Sequence, residues 1–223
     1  MRTVAIITAA GQGKRMGRSK QFIEINGKAV LEWTLAAFQK AEAVDEIVLV
    51  VNAEDIEKAR KFKFPKIKRI VAGGEERQDS VRNGLNALPE DTEMVVIHDG
   101  ARPMITGEII KRAVLEAEKN GAVVVGVPVS DTIKKADPKT LEITGTVDRT
   151  ELWAAQTPQV FKKELILRAF KEGAAKHKVT DDSMLAEKLG IPVKMVMGSY
   201  RNIKITTPEE LGIAEKYLRE GEQ

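Results

Sequence analysis

The chain has 223 residues, is 43% hydrophobic and 31% charged, and carries a formal net charge of +3. That balance suits one domain with a full core and excludes a disordered or strongly basic chain, so no nucleic-acid partner is expected. With no cysteine, disulfides, thiolate metal sites and thiol nucleophiles are all excluded. His98 and His177 lie far apart, so any metal is expected to be a hard cation on carboxylate and phosphate oxygens, magnesium or manganese. No apolar run reaches the roughly 18 residues of a membrane helix, and no leader pattern precedes the first apolar run. A cytoplasmic location is the expectation.

Strand-like and helix-like segments alternate along the chain. The patterns predict strands at 3–9, 46–52, 67–72, 93–98, 121–128 and 192–197, and helices at 30–41, 53–62, 77–88, 106–119, 162–175, 181–189 and 207–220. Such alternation predicts an α/β domain with a mainly parallel sheet and helices on both faces. Leu31, Leu35 and Phe38 form the apolar stripe of the first helix. Thr207-Pro208-Glu209-Glu210 is a capping box with proline at the first helical position, followed by the stripe Leu211, Ala214 and Leu218. No repeat or linker divides the chain, so residues 1–223 are read as one domain. Residues 131–150 break the rhythm, with short β-prone pieces around Asp137-Pro138 and few apolar residues. They predict a projecting β-hairpin arm that packs on another subunit, the bland alternative being a surface loop.

The first strand ends in Ala9-Ala10-Gly11-Gln12-Gly13-Lys14-Arg15-Met16-Gly17, with Arg18 and Lys20 just beyond. Glycines let backbone N–H groups approach a ligand, and clustered cations favour a polyphosphate. The spacing fits neither a P-loop nor a Gly-x-Gly-x-x-Gly fingerprint, and Asn52, not an acid, ends the second strand. A second polar cluster, Gly73-Gly74-Glu75-Glu76-Arg77-Gln78-Asp79-Ser80-Val81, follows a strand and opens a helix. Its glycines would lie flat against a base or sugar, and Ser80 would offer a hydroxyl; the alternative is a helix cap made by Asp79 or Ser80. The third cluster, His98-Asp99-Gly100-Ala101-Arg102-Pro103, puts an acid at a strand's carboxyl end, where a metal ligand of an α/β nucleotide enzyme belongs. Arg102 could instead lock Asp99 in an ion pair, and His98 reads as a structural hydrogen-bonding residue.

These motifs, in this order, resemble the 2-C-methyl-D-erythritol 4-phosphate cytidylyltransferase family. The resemblance extends to Val-Pro-Val-x-Asp-Thr-Ile-Lys at 127–134, Arg149 with Leu152-Trp153, Gln156-Thr157-Pro158-Gln159, Thr180-Asp181-Asp182 and Asn202-Ile203-Lys204-Ile205-Thr206. Gly100 stands where alanine is expected. The resemblance implies a Rossmann-like nucleotidyltransferase domain, CTP and a polyol phosphate as substrates, magnesium, and a homodimer through the 131–150 arm. It implies that Arg15 and Lys20 stabilise the transition state and the leaving pyrophosphate, and that Arg149 and Lys204 hold the acceptor phosphate, Arg149 from a partner's arm. Asp99 would bind magnesium or the acceptor's hydroxyls. Thr132, Thr157 and Thr180 would contact the sugar alcohol phosphate, and Ala9, Ala10, Gly11, Gly13, Gly74 and Ser80 would frame the nucleotide. Read as plain structure, Lys204 would be a solvated edge lysine, Arg149 a partner of Asp148 or Glu151, and Trp153 a packing residue.

Overall fold

The computed structural model describes residues 1–11, 20–173 and 179–221, with Lys20 and Gly221 described by backbone alone. The elements in chain order are β1 (Thr3–Ala9), a 3-10 turn at Lys20–Phe22, β2 (Glu24–Ile25), β3 (Lys28–Ala29), α1 (Val30–Lys40), β4 (Glu46–Val51) and α2 (Ile56–Ala59). They continue with β5 (Ile67–Ala72), α3 (Arg77–Asn86), β6 (Met94–Asp99), α4 (Gly107–Asn120), β7 (Ala122–Pro128), β8 (Ile133–Ala136) and β9 (Ile143–Val147). The last are β10 (Trp153–Lys162), α5 (Lys163–Glu172), α6 (Ser183–Lys188), β11 (Lys194–Met197) and α7 (Pro208–Gly221).

The main sheet has seven strands in the order β11-β7-β10-β6-β1-β4-β5. Every neighbouring pair is parallel except those of β10, which runs antiparallel to both β6 and β7. Because the sheet is covered on both faces, strands such as β4 and β7 are apolar nearly throughout, without alternation. Alternate residues of β1 serve opposite layers. Ala5 and Ile7 pack with Leu31, Leu35 and Phe38 of α1 and with Ile110 and Ala113 of α4. Val4 and Ile6 pack with Val81 and Leu85 of α3, Ile166 and Phe170 of α5, and Leu185 of α6. The stripe of α7, Ala214 and Leu218, closes a smaller cluster with Ile25, Val30, Met104 and Ile205. One half of the capping box expected at α7 is seen: the Glu210 carboxylate accepts from the Thr207 N–H at 2.8 Å.

From β1 the chain steps outward through β4 to β5, then returns to place β6 on the other side of β1. That reversal makes a crevice at the carboxyl ends of β1 and β6, where open α/β sheets bind ligands.

The sequence patterns miss one central strand. Trp153–Lys162 contains Gln156, Thr157, Pro158 and Gln159, and proline in mid-run speaks against a central strand. The register against β7 shifts between Ala155 and Gln159, and this irregularity absorbs the proline. The buried Gln156, Thr157 and Gln159 reach out of the strand to hold loops, which is why the run is not apolar. The helix expected at 53–62 is a 3-10 turn, Ala53–Asp55, plus the single turn α2. The helix expected at 181–189 begins at Ser183, after the N-cap Asp182, and the Asp181 carboxylate just outside it accepts from Met184 N at 3.0 Å.

β8 and β9 pair antiparallel as a separate two-stranded sheet. At its tip the Asp137 carboxylate accepts from Lys139 N at 2.8 Å and Thr140 N at 2.9 Å, the turn expected of Asp-Pro. Leu141 and Ile143 are 76% and 65% exposed, apolar side chains with no cover in the monomer.

Candidate active site

Three strand ends meet at a cleft of about 300 Å³. From β1 come Thr8, Ala10 and Gly11, with Gln21 donating to the Gly11 carbonyl at 3.1 Å. From the β5–α3 turn come Gly74, Glu75, Glu76, Arg77 and Ser80, and from β6 come Asp99 and Ala101. Lys204 completes the lining. The two glycine motifs are pressed together: a Cβ on Gly73 would stand 2.2 Å from the Ala10 Cβ and 2.8 Å from Ser80 Oγ. Only glycine permits that approach. Ser80 Oγ accepts from Gly74 N at 3.2 Å and donates to the Glu76 carbonyl at 3.3 Å, so the hydroxyl shapes the loop. α3 opens on a capping box between the N-cap Glu76 and Asp79, the Asp79 carboxylate accepting from Glu76 N at 3.2 Å.

The floor is a buried ionic cluster. Asp99, 6% exposed, faces Lys204 Nζ at 2.9 Å, Arg77 Nε at 3.2 Å and Arg102 Nε at 3.5 Å. Burial alone would push its carboxyl up, but the joint field of Arg77, Lys204 and Arg102 outweighs this and holds it well below the usual carboxylate range. Arg77 also reaches the buried Asp182, with Nη2 2.8 Å from Oδ2. Burial pushes the Asp182 carboxyl up, against the pull of Arg77. Asp182 is set in place by Gln159 of β10, whose side-chain oxygen accepts from Asp182 N at 3.1 Å and Ser183 N at 3.0 Å.

Beneath Asp99 runs a chain of neutral hydrogen bonds. Asp99 N donates to Thr157 Oγ1 at 3.1 Å, and that hydroxyl lies 3.0 Å from His98 Nδ1. His98 Nε2 is 3.3 Å from the Arg102 carbonyl. A carbonyl can only accept, so the imidazole proton sits on Nε2 and Nδ1 accepts from Thr157. His98 is fully buried, which pushes its pKa down to about 3 and keeps it neutral. The loop is tied on its far side as well: Arg102 donates to the Asn202 carbonyl at 2.8 Å, and Ile205 N to the Ala101 carbonyl at 2.8 Å. Those ties carry Lys204 over the floor.

The cleft brings together Ala10, Gly11, Gly74, Ser80, Asp99 and Lys204, all expected site residues. Others stand elsewhere. Ala9 is fully buried in the sheet, behind the cleft wall. Thr157 is buried, and its hydroxyl is committed to Asp99 and His98; direct contact with a sugar alcohol gives way to support of the floor. Thr132 and Thr180 are exposed and do not line the cleft. Arg149 is exposed at the base of the hairpin, donating to the Ser130 carbonyl, also outside the cleft of its own chain. Gly13 and Arg15, and the side chain of Lys20, lie outside the described residues. Arg102 makes the ion pair with Asp99 that the sequence left open. At Gly100 an added Cβ would meet Leu31 Cδ1 at 2.9 Å and Ala9 Cβ at 3.1 Å, so glycine fits the crowding.

Arg77 and Asp182 carry no role in the sequence reading, although each lies within a quoted motif. Two opposite charges beside apolar runs, Val81 after one and Met184-Leu185-Ala186 after the other, are the signal that could have paired them. Among the described residues no group of three or more His, Asp or Glu side chains could hold a metal ion. Both Asp99 oxygens are already paired, Oδ1 with Arg77 and Oδ2 with Lys204 and Arg102, so this arrangement does not fit a magnesium ion resident on Asp99. Among the described residues no helix is long and apolar enough to cross a membrane.

A family model described as IspD, 2-C-methyl-D-erythritol 4-phosphate cytidylyltransferase, matches residues 3–220. The chain is 46% identical to the 2-C-methyl-D-erythritol 4-phosphate cytidylyltransferase of Alkaliphilus metalliredigens, covering 100% of this chain and 96% of the relative. It is 48% identical to that of Caldanaerobacter subterraneus subsp. tengcongensis, covering 98% and 100%. Among solved structures, 4-diphosphocytidyl-2C-methyl-D-erythritol synthase from Anaerococcus prevotii superposes with a TM-score of 0.86 at 38% identity, covering 98% of this chain and 96% of that one. The Thermus thermophilus cytidylyltransferase superposes with a TM-score of 0.80 at 32% identity, covering 98% and 100%.

Proposed function

The chain belongs to the 2-C-methyl-D-erythritol 4-phosphate cytidylyltransferase family, and on that premise we propose how its residues carry out the reaction. It transfers CMP from CTP to 2-C-methyl-D-erythritol 4-phosphate, giving 4-diphosphocytidyl-2-C-methyl-D-erythritol and pyrophosphate. A phosphate oxygen of the acceptor attacks the α-phosphorus of CTP while pyrophosphate leaves on the opposite side. The attacking group is already an anion, so no general base is needed. His98, at the floor of the cleft, fits that chemistry: buried, hydrogen-bonded and neutral, it serves the scaffold. The task left to the protein is positioning two anions and stabilising the charge that develops between them.

The observation that carries this reading is the convergence of Lys204 and two arginines on Asp99, opposite a glycine-framed wall at the crevice. Ala10, Gly11 and Gly74 offer backbone to cytidine, with Ser80 holding the Gly74 loop in shape. Lys204 holds the acceptor phosphate together with Arg149. Arg15 and Lys20 stabilise the transition state and the departing pyrophosphate. Thr132, carried on the hairpin like Arg149, and Thr180 contact the sugar alcohol phosphate, neither of them from the lining of its own chain's cleft. Magnesium would enter on the nucleotide phosphates and neutralise their charge, Asp99 staying paired with its cations.

Arg149 lies outside its own chain's cleft, and Leu141 and Ile143 stand uncovered, so the 131–150 hairpin is assigned to a homodimer in which it reaches a partner's site. A reaction that draws on CTP belongs in the cytoplasm.

Pyrophosphate release by purified protein tests the reading, with each of the four NTPs against methylerythritol phosphate and ribitol 5-phosphate. Turnover is expected with CTP and methylerythritol phosphate; preference for ribitol phosphate would overturn the acceptor. Arg15→Ala and Lys20→Ala are each expected to lower kcat by roughly 10²–10³, about 2.7–4 kcal/mol, with CTP binding much less affected. Near-full turnover by either variant would remove that residue from the mechanism.

A further inference from the structure

Among the described residues, the direct ion pairs under the cleft join three cations, Arg77, Arg102 and Lys204, to two carboxylates, Asp99 and Asp182. Arg77 touches both acids, 3.2 Å from Asp99 Oδ1 and 2.8 Å from Asp182 Oδ2. Arg102, 3.5 Å from Asp99 Oδ2, is fixed from behind by its bond to the Asn202 carbonyl. Two arginines thus match two acids, and Lys204 supplies the surplus charge. Its side chain is also the most open of the three, 36% exposed against 29% for Arg77 and 12% for Arg102.

We propose that the Arg77–Asp182 pair is a positioning device that keeps Asp99 compensated, so that Lys204 can leave the carboxylate for a substrate phosphate. Without Arg77, departure of Lys204 would leave a buried carboxylate short of positive charge, and breaking a buried pair in that way is costly. Asp182 has the complementary task. Arg77 lines the cleft and would itself turn to incoming phosphates were it not held from the side by a buried acid that Gln159 fixes in place. The arrangement assigns the division of labour: two anchored arginines and one mobile lysine. This inference rests on the reading of Lys204 as a ligand of the acceptor phosphate.

The test removes the pair together, Arg77→Gln with Asp182→Asn, so that neither buried charge is left alone. Asp99 should then hold Lys204 more tightly. The expected result is an acceptor KM raised about tenfold, a CTP KM within about twofold of wild type, and kcat reduced less than the acceptor affinity. Arg77→Lys, which cannot span both acids, should give about a threefold rise, and it carries the same split if the double variant is recovered unfolded. A readout independent of turnover is acetylation of Lys204 by acetic anhydride, followed by mass spectrometry and normalised to the exposed Lys188. In the double variant, or in Arg77→Lys to a smaller degree, Lys204 should react several-fold more slowly. A raised CTP KM with an unchanged acceptor KM would make Arg77 a nucleotide ligand and overturn the proposal. So would an unchanged Lys204 labelling rate. If wild type itself releases no pyrophosphate from CTP and methylerythritol phosphate, the functional reading fails, while the labelling comparison still decides whether the pair governs Lys204.

Discussion

The floor of the cleft and the β8–β9 hairpin both present charges and hydrogen-bonding groups, but different partners satisfy them. At the floor, Asp99, Asp182, His98 and Thr157 are all nearly inaccessible and find their partners inside the protein. On the hairpin, Lys134, Lys135 and Arg149 stand in water, and Leu141 and Ile143 are exposed beside them. Charges fixed before a ligand arrives need no reorganisation during a reaction, which suits the floor to electrostatic work. A two-stranded hairpin is marginal by itself, and this one adds nothing to the main core. The floor is built within the chain's own fold, whereas the hairpin's proposed role lies against a partner subunit.

The sharpest way to break this contrast is Asp99→Asn. It leaves Arg77, Arg102 and Lys204 in one another's field, so a stability loss of about 3–5 kcal/mol is expected, read by urea unfolding. A fall in kcat/KM of roughly 10²–10³ should accompany it in the pyrophosphate assay. Wild-type stability in this variant would mean that the floor does not depend on charge closure.

Between pH values of about 6.5 and 5, a smaller effect should appear in the pH dependence of stability. His98 titrates near 3 when folded, below the roughly 6.5 of an unfolded imidazole, so the unfolded state takes up its proton first. Stability should therefore fall as pH drops below about 6.5, by about 1.4 kcal/mol per pH unit, until the folded value is approached. Asp99, held below its ordinary range, adds a loss of the same sign under more acidic conditions. Asp182, pushed up by burial, acts with the opposite sign. His98→Gln should flatten the slope between pH 6.5 and 5 in urea titrations; an unchanged slope would show that the imidazole is not its source.

The hairpin should give the smallest effect on stability. Leu141→Ser with Ile143→Ser is expected to change unfolding free energy by no more than about 0.5 kcal/mol while shifting the mass in solution toward monomer. Arg149→Ala should raise the acceptor KM with no change in melting temperature. Unfolding of either variant would place the hairpin inside the cooperative core and end the contrast.

The same contrast explains what the sequence made legible. Continuous apolar runs such as Ile47–Val51 and Met94–Ile97 announce strands covered on both faces, and Leu31, Leu35 and Phe38 announce the helix on one of them. Glycine clusters and an acid at strand ends mark the cleft, because few other roles need those residues there. Strand β10 stayed hidden because its interior is polar: Gln156, Thr157 and Gln159 hold loops rather than fill the core, and Pro158 sits in a register shift. The pairing of Arg77 with Asp182 stayed hidden for a related reason. Their partnership is tertiary, set by a glutamine on that same unrecognised strand. Ser80 and Thr157 were legible as polar residues of the site, but only coordinates separate a hydroxyl that meets substrate from one that braces the wall.

The close approach of Gly73 to Ala10 ties two strand ends together through a missing atom. The Ala10 methyl fills the volume a side chain at position 73 would need, so the ends of β1 and β5 meet as a tongue does in its groove. Any residue larger than glycine there would have to push one rim of the opening off the other.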